Sequence, residues 1–210
     1  MNVKLQWATP DIDRQIMFMA RVSNPANQNS ESSRLLHYCM EHGHVSPFEM
    51  ASACLEINTT RDIGRQILRH RSFSFQEFSQ RYADVTQLPE MEMRECRLQD
   101  TANRQNSLPC TEDVMRRWWN LTQATVARQA LEAYKSALEA GIAKEQARAL
   151  LPEGLTPSRL YMVGTMRSWI FYLKQRLDPS TQKEHREIAE QALAILREVA
   201  PITMAAFFPE

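Results

Sequence analysis

Fourteen consecutive residues, Arg69-His70-Arg71-Ser72-Phe73-Ser74-Phe75-Gln76-Glu77-Phe78-Ser79-Gln80-Arg81-Tyr82, hold three arginines, a histidine, a glutamate and three serines, with three phenylalanines between them. Crowded guanidinium groups repel one another, and each ordered side chain loses rotamer entropy, so such a cluster adds no stability by itself. The chemistry it suits is anion binding, because arginine's planar fork matches phosphate better than lysine's point charge does. The serines add neutral donors, and Glu77 supplies a fixed negative group able to orient an arginine or a polar ring. A solvated basic helix face is the competing reading, but such a face has no use for Phe73, Phe75 and Phe78.

The elements that must position this run are those of one domain spanning residues 1–210. With 43% hydrophobic and 24% charged residues the composition is that of a globular protein and excludes wholesale disorder. Net charge is zero, so no global field favours nucleic acid. Of 25 basic residues 20 are arginine, a bias that fits small-phosphate recognition. No apolar stretch reaches the roughly eighteen residues of a spanning helix, and the first residues carry no signal-peptide pattern. A cytoplasmic protein with no membrane partner is expected. Cys39, Cys54, Cys96 and Cys110 form no CxxC pair, so reduced thiols are expected. Cys39, His42 and His44 lack a fourth ligand, and no metal is expected.

Alternation of Val3, Leu5 and Trp7 predicts a strand. Helices are predicted over 11–22, 30–41 (stopped at Gly43), 61–71, 111–140 (stopped at Gly141), 144–151, 165–176 and 179–199, the last with Asp178 as N-cap and Pro179 in its first turn. Strands are predicted over 52–58, 91–98 and 159–163, with a loop over 100–109. The fold class is α+β, helix-rich. On the third helix Gln66 shares a face with Arg69 and His70, and Arg61, Arg65 and Arg69 stack at four-residue steps.

The spacing Arg-His-Arg, seven residues, then Ser79, together with Ser74, Glu77, Arg81 and Tyr82, resembles the signature of the flavin-dependent thymidylate synthases. Similarity runs from Ala20-Arg21-Val22-Ser23 to Thr181-Gln182-Lys183-Glu184-His185-Arg186-Glu187. The resemblance implies a small, mostly antiparallel sheet and a homotetramer whose flavin sites are shared between subunits. Phe18, Trp118, Trp119 and Trp169 would supply the apolar surface. It implies reductive methylation of dUMP to dTMP, with methylene-tetrahydrofolate as carbon donor, FAD as cofactor and NADPH as reductant.

Residue by residue, the resemblance assigns Gln66 and Arg69 to the nucleotide, and Arg69, His70 and Arg71 to the flavin. Glu77, Ser79, Gln80 and Arg81 match positions that grip the deoxyuridylate sugar and phosphate, Glu77 also counting on the flavin side. The run His42-Gly43-His44-Val45-Ser46-Pro47-Phe48-Glu49, otherwise a tight turn, resembles a motif that puts Ser46 at the flavin and His44 toward cofactor and folate. Ser23 matches another flavin-side position. Arg148, before Ala149-Leu150-Leu151-Pro152, matches a nucleotide-gripping arginine. Arg167 matches a flavin contact, and Arg176 the catalytic arginine that binds and polarises the uracil ring.

Four positions depart from the pattern. Gln76 replaces asparagine, Val163 stands where asparagine is usual, Phe171 where histidine or asparagine is usual, and Gln175 where leucine is usual. The departures at Val163 and Phe171 motivate an alternative, a flavin-dependent enzyme that hydroxymethylates or acts on dCMP. A non-catalytic nucleotide- or RNA-binding relative is the alternative from another class.

Overall fold

The structure, a computed structural model, describes residues 1–209. In chain order the elements are β1 (Asn2–Ala8), α1 (Ile12–Ala20), α2 (Arg34–Glu41), β2 (Ser52–Thr60), α3 (Arg61–Ile67), β3 (Ser74–Glu77), β4 (Arg97–Gln99) and β5 (Ser107–Pro109). They continue with α4 (Asp113–Glu139), α5 (Lys144–Ala147), β6 (Pro157–Thr165), α6 (Met166–Arg176), α7 (Lys183–Val199) and α8 (Pro201–Phe207). The main sheet has the order β1-β2-β6-β3, every neighbour antiparallel, and β4 with β5 forms a separate hairpin. The class is α+β, as the sequence predicts, and the small antiparallel sheet is the one the resemblance implies.

The sheet grows from two nine-residue strands. In β2, Ala53, Leu55 and Ile57 are fully buried, and Leu55 faces Met162 of β6 across the ladder. These residues join Ile12 and Ile16 of α1, Leu36 of α2, Trp169 and Leu173 of α6, and Ile188 and Leu196 of α7 in one core. A smaller cluster of Val85, Tyr134 and Ala147 fastens the C-terminal half of α4. Gly141 ends that helix at φ 81°, the left-handed conformation glycine adopts without strain.

Several elements differ from expectation. Helix α3 stops at Ile67 rather than Arg71, because the chain must turn to lay Ser74–Glu77 beside β6, a strand the sequence did not announce. Helix α7 starts at Lys183, not Pro179. Asp178 accepts hydrogen bonds from the Ser180 amide (2.8 Å) and hydroxyl (2.5 Å), so it closes a local turn instead of capping a helix. A strand predicted over 91–98 shrinks to β4, and its partner β5 lies inside the predicted loop. Val3 is buried, but Leu5 and Trp7 are exposed on this edge strand, and a bulge between Leu5 and Trp7 breaks the alternation of β1. Pro201 restarts the chain as α8. Trp169, expected to supply surface, is fully buried and donates its indole N–H to the Ala53 carbonyl at 3.2 Å.

The ring of Phe73 lies directly over Gly164 of β6, where a Cβ would overlap it. Phe73 also meets Trp169 edge-on at 4.8 Å. Gly164→Ala must therefore push Phe73 off the sheet. A loss of about 1–3 kcal/mol in stability is expected, the usual cost of overpacking, read as a lowered urea midpoint with unchanged slope.

Candidate functional site

The phenylalanines of the arginine-rich run are its anchors. After α3 the chain continues in hydrogen-bonded turns, with the His70 amide donating to the Ile67 carbonyl (3.0 Å) and the Phe73 amide to the His70 carbonyl (3.2 Å). Phe73 is buried and Phe75 half-buried, so the polar residues between them are held at the surface. Ser168 of α6 fastens the turn by donating its hydroxyl to the Ser72 carbonyl at 3.0 Å.

Two clefts flank α3. The first, about 530 Å³, is lined by Gln66, Arg69, His70, Gln175 and Arg176, and holds no carboxylate. Arg176 Nε donates to His70 Nε2 at 2.9 Å. His70 must therefore be neutral with its proton on Nδ1. Burial, assisted by the Arg176 charge, pushes the His70 pKa down to about 4. Burial, with a smaller opposing contribution from Tyr172 and a further push from Arg69, sets Arg176 below the usual arginine value. Behind the cleft, Tyr172 meets the His70 ring edge-on at 4.9 Å, and buried His185 lies 5.7 Å from Tyr172.

The second cleft, about 460 Å³, is lined by Arg61, Arg65, Gln80, Glu145, Arg148, Glu153 and Thr156 among others. Here arginines meet carboxylates. Arg65 pairs with Glu153, and Arg81, beside the cleft, pairs with Glu145 at 3.4 Å. Arg148 donates to the Glu145 backbone carbonyl at 3.2 Å. Gln80 is buried, and its amide nitrogen has no partner among the described residues. Glu77 orients an arginine as its charge suggests: it accepts from the Ser158 hydroxyl at 2.8 Å and pairs with Arg61 at 3.4 Å.

Comparison with known proteins assigns the chain to a family. The family model described as thymidylate synthase complementing protein matches residues 4–202. The chain belongs to this family. It is 50% identical over 191 residues to a flavin-dependent thymidylate synthase of Synechocystis sp., covering 91% of this chain and 87% of the relative. It is 49% identical over 176 residues to a probable flavin-dependent thymidylate synthase of Paramecium bursaria Chlorella virus 1, covering 83% and 80%. Among solved structures it resembles the UMP/dUMP methylase PolB of Streptomyces cacaoi bound with 5-Br dUMP, with TM-score 0.83 and 27% identity over 98% of this chain and 93% of that one.

The family's expected site residues are only partly together in one chain. Gln66, Arg69, His70 and Arg176 share the first cleft, whereas Gln80 and Arg148 share the second with Arg81 at its edge. Glu77 sits behind the second cleft and Ser79 in the turn whose carbonyl accepts from the Tyr82 and Ala83 amides. Arg71 is exposed, and like Arg69 it has no ion-pair partner among the described residues. Arg167 donates to Glu49 at 2.7 Å and lies 5.7 Å from the Phe171 ring centre. That hydrogen bond, with one from Thr165, holds the Glu49 carboxyl below its ordinary value. Ser23, His44 and Ser46 are exposed and line neither cleft; His44 instead joins a ring cluster with Tyr38 and His42. Glu145, Glu153, Tyr172 and His185 were not singled out as site residues. Carboxylates near arginines in space leave no spacing signal, and His185 reads as one polar residue on a helix.

The neutral state of His70 has a pH consequence. An unfolded chain protonates its histidine near 6.5, the folded one only near 4, so the unfolded state binds more protons in between. Stability from this residue is full above about pH 6.5 and declines as pH falls toward 4. His70→Asn should flatten the fall in Tm over that window, measured by thermal melts at fixed ionic strength.

Proposed function

We propose that this chain carries out reductive methylation of dUMP to dTMP, using methylene-tetrahydrofolate as carbon donor and FAD with NADPH as the source of reducing equivalents. The observation that carries the reading is the carboxylate-free cleft in which Arg176 donates to a neutral His70 beside Arg69. A guanidinium without a protein counter-ion is poised for an anionic ligand. Methylation at carbon 5 of uracil needs negative charge on the ring to be stabilised, and Arg176 is the preorganised cation for it. None of the four cysteines lines either cleft, so the protein's contribution is placement and electrostatics rather than a thiol nucleophile.

The donor set fits a flavin. Arg69 and Arg71 have free guanidinium groups for a diphosphate, and the His70 Nδ1 proton remains available to a ring acceptor. Arg167 and Ser46, with Ser23 and His44, complete the cofactor-side surface, while Gln66, Glu77, Ser79, Gln80, Arg81 and Arg148 serve the nucleotide. When bound, the flavin supplies the hydride that reduces the transferred carbon. The Gln80 amide, without a partner among the described residues, adds a neutral donor to the arginines of the second cleft, which suits a phosphate.

One domain does this work in the cytoplasm as a homotetramer, with no nucleic-acid or membrane partner. Among the described residues no helix is long and apolar enough to cross a membrane. The division of nucleotide residues between two clefts fits a site completed by a second copy. Apolar Val114 (81% exposed), Trp118 (60%) and Leu121 (70%) on α4 are the surface for one. Light scattering is expected to show a tetramer. A monomer that binds FAD at full affinity would overturn the shared site.

Purified protein should be yellow, and mass spectrometry should find dTMP made from dUMP when methylene-tetrahydrofolate and NADPH are supplied; hydroxymethyl product or turnover of dCMP would favour the altered-outcome reading instead. Arg81→Ala and Arg148→Ala should each weaken dUMP binding by about 2–5 kcal/mol, the cost of truncating a charge-assisted phosphate contact. Flavin content should be unchanged, and lysine at either position should recover only part of the loss. Unaltered dUMP titrations would remove both residues from the phosphate site.

A further inference from the structure

We infer that His185 is a positioning residue for the nucleotide: a one-way chain of hydrogen bonds running from Glu184 through Gln182 and Gln66 to His185 fixes which atoms of Gln66 face the cleft. The inference rests on the reading that Gln66 touches the nucleotide.

The direction of the chain follows from its first member. A carboxylate only accepts, so the Gln182 amide nitrogen must point at Glu184 Oε2, at 2.9 Å. That leaves Gln182 Oε1 as the acceptor for Gln66 Nε2, at 2.8 Å. Gln66 Oε1 then faces His185 Nδ1 at 3.3 Å, and two acceptors cannot bond, so His185 must carry its proton on Nδ1. Flipping Gln182 would set acceptor against acceptor at Glu184 and donor against donor at Gln66, and flipping Gln66 would set its oxygen against Gln182 Oε1. A glutamine side chain alone has two nearly equivalent orientations; here one is selected.

The backbone supports the same geometry. His185 is fully buried, and its amide donates to the Gln182 carbonyl at 3.0 Å in the first turn of α7, so the two chain members are set by one helix end. The ring is wedged between Tyr172 and His70, at 5.7 and 6.2 Å between centres. Burial, with the charge of Arg176 and, once it protonates in acid, that of His70, pushes its pKa down to about 3, which keeps a single ring proton near neutral pH. Its Nε2 has no partner among the described residues. Among the described residues its one side-chain hydrogen bond is the one to Gln66. With one hydrogen and one lone pair of Gln66 engaged, the remaining hydrogen and lone pair stay in fixed places on the cleft wall.

The test is equilibrium titration of flavin-loaded enzyme with dUMP. His185→Leu keeps the volume and removes the donor. It should weaken dUMP about tenfold, the size of one hydrogen bond, with flavin affinity unchanged. His185→Asn, whose amide nitrogen occupies the place of Nδ1, should recover most of the loss. In a Gln66→Ala background, His185→Leu should add nothing. Wild-type dUMP affinity in His185→Leu, or equal weakening with and without Gln66, would reduce His185 to packing and overturn the inference while leaving the Gln66 assignment standing. If Gln66→Ala itself leaves dUMP affinity unchanged, that assignment fails and the inference with it. Should His185→Leu not fold, exposed Gln182→Met breaks the chain at its other end. It should weaken dUMP in a Gln66-dependent way, and unchanged affinity overturns the inference.

Discussion

The hydrogen bond from Arg176 to His70 depends on keeping an imidazole neutral beside a cation, and much of the surrounding structure serves that condition. A protonated His70 could not accept from Arg176 and would repel it. Neutrality comes from desolvation, which requires Tyr172 and His185 to close over the ring, with Phe73 packed against Tyr172 behind them. Those residues are in turn held by Trp169, buried under the sheet and bonded to Ala53, and by Ser168, bonded to Ser72. Helix α6 thus fastens the arginine-rich turn to the core with one face and carries Arg176 into the cleft at its end.

The two clefts are electrically different, and the difference suits two kinds of contact. In the first no carboxylate balances Arg69 and Arg176, so any anion entering finds cations already free. In the second, Glu145 and Glu153 hold Arg81 and Arg65 extended at the surface. Both members of the Arg81–Glu145 pair are about half exposed, and such pairs are worth roughly 0–1 kcal/mol. A charge-assisted bond to phosphate is worth roughly 1.5–3 kcal/mol. Phosphate can therefore take Arg81 from Glu145 without the carboxylate having to be removed.

How much of this was legible in the sequence differs by kind of information. The helices α4 and α6 and the strand β2 followed from periodicity, and Gly141 from its place after the last apolar step. Strand β3 did not, because its four residues, Ser74-Phe75-Gln76-Glu77, are too few to set a period, and pairing with β6 rather than propensity makes them extended. Trp169 was misjudged because burial of an indole depends on a carbonyl partner across the sheet. Residue types at the site were legible, since arginine spacing and Glu77 announce their chemistry. Which cleft each joins was not, since that is set by β3 and α3 diverging from one turn.

Three of the departures from the family pattern lie on β6 and α6, outside the fully buried core. Val163 is half-buried opposite Ser74 in the β3–β6 ladder, and Phe171 is exposed beneath Arg167. Gln175 lines the first cleft beside Arg176. Phe171 and Gln175 are four residues apart on α6 and so share a face. Replacing a polar side chain by phenylalanine at one and an apolar side chain by glutamine at the other moves a polar group about one helical turn, roughly 5 Å, along that face. The exchange conserves the number of polar side chains on the helix but shifts them from the Arg167 surface toward the Arg176 cleft. Arg167 loses a polar neighbour and gains an aromatic ring for its cationic face, while the carboxylate-free cleft gains a neutral amide able to donate and accept. Polarity on α6 is thereby shifted toward the Arg176 cleft, while the buried residues of the helix, Trp169, Ile170 and Leu173, keep the core contacts that fasten it.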